Sequence, residues 1–217
     1  MSEPAVELTN VVKTYGKGIV SVPVLKGLTS RIETGERVAL LGKSGSGKST
    51  LLNLLGGLDR LTSGHISVFG SQLHELASRQ MAEYRLDTVG IIFQGYNLLS
   101  AKTTRQKVEL PSIIGGLSPR DRRVAAERAL DAVGLSDRRD HKPTELSGGE
   151  QQRVAIARAF GTPVMGVNLW GGSPLCDSGS LRRISIPNDL LRSSKHEARA
   201  TAVRATGRGE EACGCVA

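Results

Sequence analysis

The stretch Gly42-Lys43-Ser44-Gly45-Ser46-Gly47-Lys48-Ser49-Thr50 constrains this 217-residue chain more than any other. It fits G-x-x-x-x-G-K-[ST] without a mismatch, and its flanks fit as well. Val38-Ala39-Leu40-Leu41 before it is a short apolar run ending in glycine, the pattern of a strand buried on both faces of a parallel sheet. Ser49 to Leu55 after it reads as a helix, with Gly56-Gly57 as its stop. Glycines let successive backbone N–H groups curl round a polyphosphate without Cβ clashes. The helix N-terminus adds partial positive charge at the same place. Lys48 is expected to reach the β- and γ-phosphates, and Ser49 to offer its hydroxyl to Mg²⁺. A flexible Gly/Ser linker would need neither the strand nor the helix.

Upstream, Val6 to Val12 alternates apolar and polar residues and reads as an edge strand, and Val24 to Ile32 as a second strand closed by the turn Glu33-Thr34-Gly35-Glu36. Downstream, Ile66 to Phe69 and Val89 to Phe93 read as strands, and Leu73 to Leu86 as a helix. The spacing predicts a helix from Thr103 to Gly116, interrupted near Pro111. Ser118 as N-cap with Pro119 behind it opens another, running to Val133 and stopping at Gly134. A further helix starts after Ser147. Strand-then-helix order with buried strands points to an α/β domain.

Net charge is +8, but Lys and Arg are scattered and aromatics are only 3 %. The tight knots, Arg120, Arg122, Arg123 and Arg138, Arg139, lie among Asp, Ala and Glu as solvated helix faces do, so no nucleic-acid surface is expected. No run approaches the ~18 apolar residues of a membrane helix, and MSEPAVELTN is not a secretory signal, so a cytoplasmic chain is expected. Cys176, Cys213 and Cys215 lack the companions a zinc site requires and read as incidental.

A second motif, Leu146-Ser147-Gly148-Gly149-Glu150-Gln151-Gln152-Arg153, precedes an apolar-periodic helix. Taken alone, Ser-Gly-Gly-Glu is an ordinary N-cap with an acid in the first turn. With the phosphate loop about a hundred residues upstream it acquires another meaning. Over residues 1 to about 160 the chain resembles the ATP-binding subunits of ABC transporters. The phosphate loop of that family matches Gly42, Ser44, Gly45, Ser46, Gly47, Lys48, Ser49 and Thr50, and its LSGGQ-type signature matches Leu146 to Glu150. Its Q-loop glutamine matches Gln94 in VGIIFQGYNLL, and its adenine-stacking aromatic matches Tyr15 in VVKTYGKG. STLLNLLGGLDRLTSG and FQGYNLLS look most like the branch serving lipoprotein release and macrolide-type export.

The resemblance implies a P-loop NTPase-like α/β fold with an N-terminal antiparallel β subdomain and a helical subdomain at about 95–145. It implies an ATPase with ATP and Mg²⁺ as cofactors and a transmembrane permease subunit as partner. It places the chain on the inner face of the cell membrane. Two such domains would form a head-to-tail homodimer in which Ser147, Gly148 and Gly149 of one copy contact the γ-phosphate held by the other. Gln94 would join Ser49 at Mg²⁺, so that Lys48 and Gln94 are the catalytic candidates.

The match ends abruptly after RVAIARAF. The family continues with four apolar residues and Asp-Glu, the Walker B aspartate and the catalytic glutamate, and later a strand ending in a switch histidine. The acids here, Asp177, Asp189, Glu197, Glu210 and Glu211, do not follow such a strand, and His196 in SSKHEAR reads as a surface residue. Residues 161–217 are Gly-, Ser-, Arg- and Ala-rich and aperiodic, as after a shifted reading frame. They are expected to be poorly ordered and to leave the Val38–Leu41 and Val89–Phe93 strands short of neighbours. The rival to an export ATPase is therefore a non-catalytic remnant that binds nucleotide or a partner without turnover. A soluble ABC ATPase acting on DNA or ribosomes would need a second cassette or long coiled-coil heptads, and neither is present.

Overall fold

The computed structural model describes residues 3–17, 20–93, 95, 98, 100–160, 167–170, 182–185 and 214–216. It divides into two compact units, Met1–Ala82 with Leu169–Ala217, and Glu83–Asn168.

The first unit holds two sheets. One is antiparallel: β2 (Val20–Ile32), β1 (Val6–Lys17), β4 (Ser63–Val68) and β5 (Ser71–Gln72), in that order. Alternation sets its faces. Val6, Leu8, Ile66 and Val68 are all buried, and the register pairs Val6 with Val68 and Leu8 with Ile66. The sequence pattern predicted β1 as an edge strand. It is instead an interior strand, paired on one side with β2 and on the other with β4. Half-polar alternation marks a sheet with one wet face and does not distinguish its edge from its middle.

The second sheet is built on β3 (Val38–Leu41), where Val38, Ala39 and Leu40 are buried. Contrary to expectation, the C-terminal quarter supplies its neighbours. β8 (Arg182–Ser185) runs parallel on one side and β9 (Gly214–Val216) antiparallel on the other, with Leu169 and Trp170 of β7 (Val167–Trp170) pairing with β9 in turn. Leu169 is buried. Strand pairing uses backbone groups that every non-proline residue carries, so a segment without hydrophobic period can still complete a ladder.

After β3 comes α1 (Lys48–Leu55), burying Leu51, Leu54 and Leu55. The helix expected from Leu73 begins only at Ser78, as α2 (Ser78–Asp87). The β4–β5 hairpin claims the preceding residues, and the Leu73 N–H donates to Ile66 O at 2.9 Å.

The second unit contains β6 (Val89–Ile92), α3 (Thr104–Ile114), α4 (Pro119–Ala132) and α5 (Gly148–Phe160). The Ser118 cap falls where the sequence puts it, and the structure adds a cap at Thr103. Thr103 Oγ1 accepts from the Gln106 N–H, and Ser118 Oγ from the Asp121 N–H. The three helices close on Val108, Ala126, Leu130, Leu135, Val154 and Ala157. The predicted interruption at Pro111 does not occur: α3 runs through it. A proline deletes one helical hydrogen bond, and packing against α4 and α5 outweighs that loss. Lys107 in α3 is 1 % exposed, its Nζ has no hydrogen-bond partner among the described residues, and burial lowers its pKa to about 8.

Candidate nucleotide site

The loop between β3 and α1 is built by backbone conformations that favour glycine. Gly45 has φ 81° and Gly47, the N-cap of α1, φ 91°. At Gly47 the requirement is double, because a Cβ there would lie 2.8 Å from Leu25 Cδ2 on β2. At Gly45 a Cβ would meet nothing within 4 Å, so the loop faces open space at that point. The Ser46 N–H donates to Lys43 O at 3.1 Å and closes the turn.

Lys48 is 9 % exposed. Its Nζ donates to Gly42 O, to Lys43 O at 2.9 Å and to Ser46 Oγ at 3.3 Å. The ammonium is thus held inside the curl by the loop's own oxygens. Ser46 is buried, Gly42 and Thr50 are half-buried, and Ser44 and Ser49 are exposed. The α1 N-terminus has no side-chain cap and no acid in its first turn, which leaves its N–H groups to an outside acceptor. A buried ammonium, an uncapped helix end and open space at Gly45 fit a polyphosphate. The Ser49 hydroxyl at that end is a hard oxygen donor of the kind Mg²⁺ takes. Among the described residues no cluster of three or more His, Cys, Asp or Glu could hold a metal. Gln94 lies outside the described residues, as do Asp177, Asp189, His196, Glu197, Glu210 and Glu211.

Tyr15 stands on β1, 40 % exposed. Its hydroxyl donates to Asp59 Oδ2 at 2.7 Å. Lys13 Nζ donates to Asp59 Oδ1 at 2.6 Å and to Arg60 O at 2.6 Å, and lies 4.6 Å from the Tyr15 ring centroid. Burial, then the Asp59 carboxylate, raises the Tyr15 pKa, so the phenol stays a donor. Burial pushes Asp59 upward, but the bonds from Lys13, Tyr15 and the Arg60 N–H outweigh it and hold the carboxyl below its usual range. Sequence reasoning singled out Tyr15 and missed Lys13 and Asp59, whose contacts join positions 44 to 47 residues apart.

In the second unit Ser147, Gly148 and Gly149 are exposed at the start of α5. A Cβ at Gly148 would meet nothing within 4 Å. The Ser147 N–H and hydroxyl both donate to Glu150 Oε2 at 2.8 Å, and the Glu150 N–H donates to Ser147 Oγ at 3.3 Å. The Ser147 N–H, then its hydroxyl and Arg138, hold the Glu150 pKa below the usual carboxylate value. Gln151 Nε2 donates to Pro143 O and Leu146 O and fixes the approach to the helix.

The chain is similar to several known proteins. The family model for ABC transporters matches residues 25–164. The macrolide export ATP-binding/permease protein MacB of Marinobacter nauticus is 47 % identical over 157 residues, covering 72 % of this chain and 24 % of that protein. MacB of Hyphomonas neptunium is 44 % identical over 191 residues, 88 % of this chain and 29 % of its own length, so that match extends past residue 160. An uncharacterized ABC transporter ATP-binding protein of Thermotoga maritima is 46 % identical over 154 residues, 71 % of this chain and 66 % of its own. The chain therefore spans about a quarter of the MacB proteins it matches. A solved dimeric ATP-binding cassette in a post-hydrolysis state, bound to ADP and Pi, is 41 % identical with a TM-score of 0.67, over 72 % of this chain and 69 % of that one. With its phosphate loop, its signature helix and these relatives, the chain belongs to the ABC transporter family, as an ATPase-type ATP-binding domain similar to the macrolide-export branch.

Proposed function

We propose that this chain binds Mg²⁺-ATP at the Gly42–Thr50 loop and couples its binding and hydrolysis to a membrane permease partner that exports a substrate or releases a lipoprotein. The single observation that carries this reading is the Lys48 ammonium, buried within a loop that leads into an uncapped helix N-terminus. The polyphosphate supplies the charge that Lys48 and the loop N–H groups are placed to meet, and Ser49 with Gln94 is the hydroxyl–amide pair for Mg²⁺. Ser147, Gly148 and Gly149 present backbone N–H groups to the γ-phosphate held by a second copy, which makes the working form a head-to-tail homodimer. MacB relatives are ATP-binding/permease proteins and the solved relative is a dimeric cassette, and both support these partners. Among the described residues no helix is long and apolar enough to cross a membrane. In this reading the chain lies on the inner face of the cell membrane, held there by the permease.

A second reading, nucleotide binding without turnover, is favoured by one observation. β7 is Val167-Asn168-Leu169-Trp170, and Gly171-Gly172 follow it in the sequence, where the family pattern carries Asp-Glu after its apolar strand. ATP binding and phosphate release by the purified chain decide between the two. Release above background that disappears in Lys48→Ala establishes the ATPase. Binding that is lost in Lys48→Ala, with no release in either protein, establishes the second reading. No ATP binding at all removes both.

A further inference from the structure

Stacking on an aromatic ring is useful to a ligand only where the ring already points the right way, because ordering a free side chain opposes binding. Tyr15 is exposed on a strand, where such a ring would ordinarily turn about two torsions. Here it is held at two places. Its tip is bound by Asp59, and one face is covered by the Lys13 ammonium, 4.6 Å from the ring centre. The two anchors are themselves locked together at 2.6 Å, and Lys13 is pinned again by the Arg60 carbonyl. Lys13 is only 8 % exposed, so the pair is screened less than a surface salt bridge. With its tip and one face engaged, Tyr15 remains 40 % exposed.

We propose that Lys13 and Asp59 are positioning residues that hold Tyr15 as a one-faced platform for the base of the nucleotide. This rests on the nucleotide reading of the Gly42–Thr50 loop and adds to it a division of labour. The loop binds phosphate, while the Lys13–Asp59–Tyr15 group distinguishes a nucleotide from a bare polyphosphate. Neither Lys13 nor Asp59 touches phosphate in this assignment, so their loss should be felt through the base alone.

The test uses the full chain with Mg²⁺ and measures Kd for two probes, ATP and inorganic tripolyphosphate. Tyr15→Phe keeps the ring and the Lys13–Asp59 pair but removes the anchor at the tip. Asp59→Asn breaks the charge pair, and Lys13→Met with Asp59→Leu removes both charges together, so that no buried ion is left alone. The expected result is about five-fold weaker ATP binding in all three, with tripolyphosphate binding within two-fold of the parent. Lys48→Ala should weaken both probes. Unchanged ATP binding in Tyr15→Phe and Asp59→Asn overturns the proposal. So does equal weakening of both probes, which would make the network a support of the fold alone. A parent chain that binds tripolyphosphate as well as ATP overturns the platform and leaves the phosphate loop standing. A parent that binds neither removes the nucleotide reading itself.

Discussion

The N-terminus of α1 and the N-terminus of α5 begin with similar glycine-serine sequence and are finished in opposite ways. At α1 the cap is Gly47, without a side-chain hydrogen bond and without an acid in the first turn, and the first residue of the helix is the buried Lys48. At α5 the Ser147 hydroxyl and the Glu150 carboxylate bond to each other and to the backbone, and Arg138 lies 3.3 Å from the same carboxyl. One helix end keeps its positive field for a ligand. The other has already spent much of it on its own acid. The difference accords with the proposed division, in which the Gly42–Thr50 loop binds phosphate by itself and the signature segment acts on a phosphate held by a second copy.

The largest test of this contrast is Gly47→Ala. A non-glycine residue at φ 91° is strained, and its Cβ would press on Leu25. A loss of about 2–3 kcal/mol in unfolding free energy is expected, with weaker ATP binding, measured by denaturant titration and by Kd. A variant as stable as the parent and with its affinity would mean that the loop is not held in this shape.

Ser147→Ala probes the other end. Loss of the cap should cost about 1 kcal/mol in stability and leave ATP binding to the single chain within two-fold. Weakened ATP binding in the isolated chain would break the division drawn here.

The smallest effect is in the acid response. The Glu150 pKa is lower in the folded chain than its ordinary value of 4.5. Its contribution is therefore complete above that value and is lost as pH falls through the lower, folded pKa. Comparing the acid limb of the unfolding curve with that of Glu150→Gln should show a slightly shallower fall in the variant. Identical limbs would mean that the carboxylate does not cap α5.

Much of the candidate site was legible because its rules act over a few residues. The Gly42–Thr50 loop, the cap at Ser118 and the Ser147 start of α5 each depend on a turn of backbone and one nearby side chain. Such features tolerate almost any surroundings, so the residue types alone betray them. The expectations that failed involved partners far along the chain. The edge position assigned to β1, the helix drawn through Leu73 and the break at Pro111 all depended on what would pack or pair alongside.

The sequence by itself determined the Gly42–Thr50 loop, the strand before it, the helix after it and the family to which they belong. Only the tertiary structure decided which segments flank β3, that Lys107 is enclosed without a partner among the described residues, and that Lys13 and Asp59 close on Tyr15. The reason is the range of the forces. Steric and capping preferences are written within one turn of chain. Ladder pairing and side-chain contacts use groups common to many residues and acquire specificity only when the fold brings distant segments together.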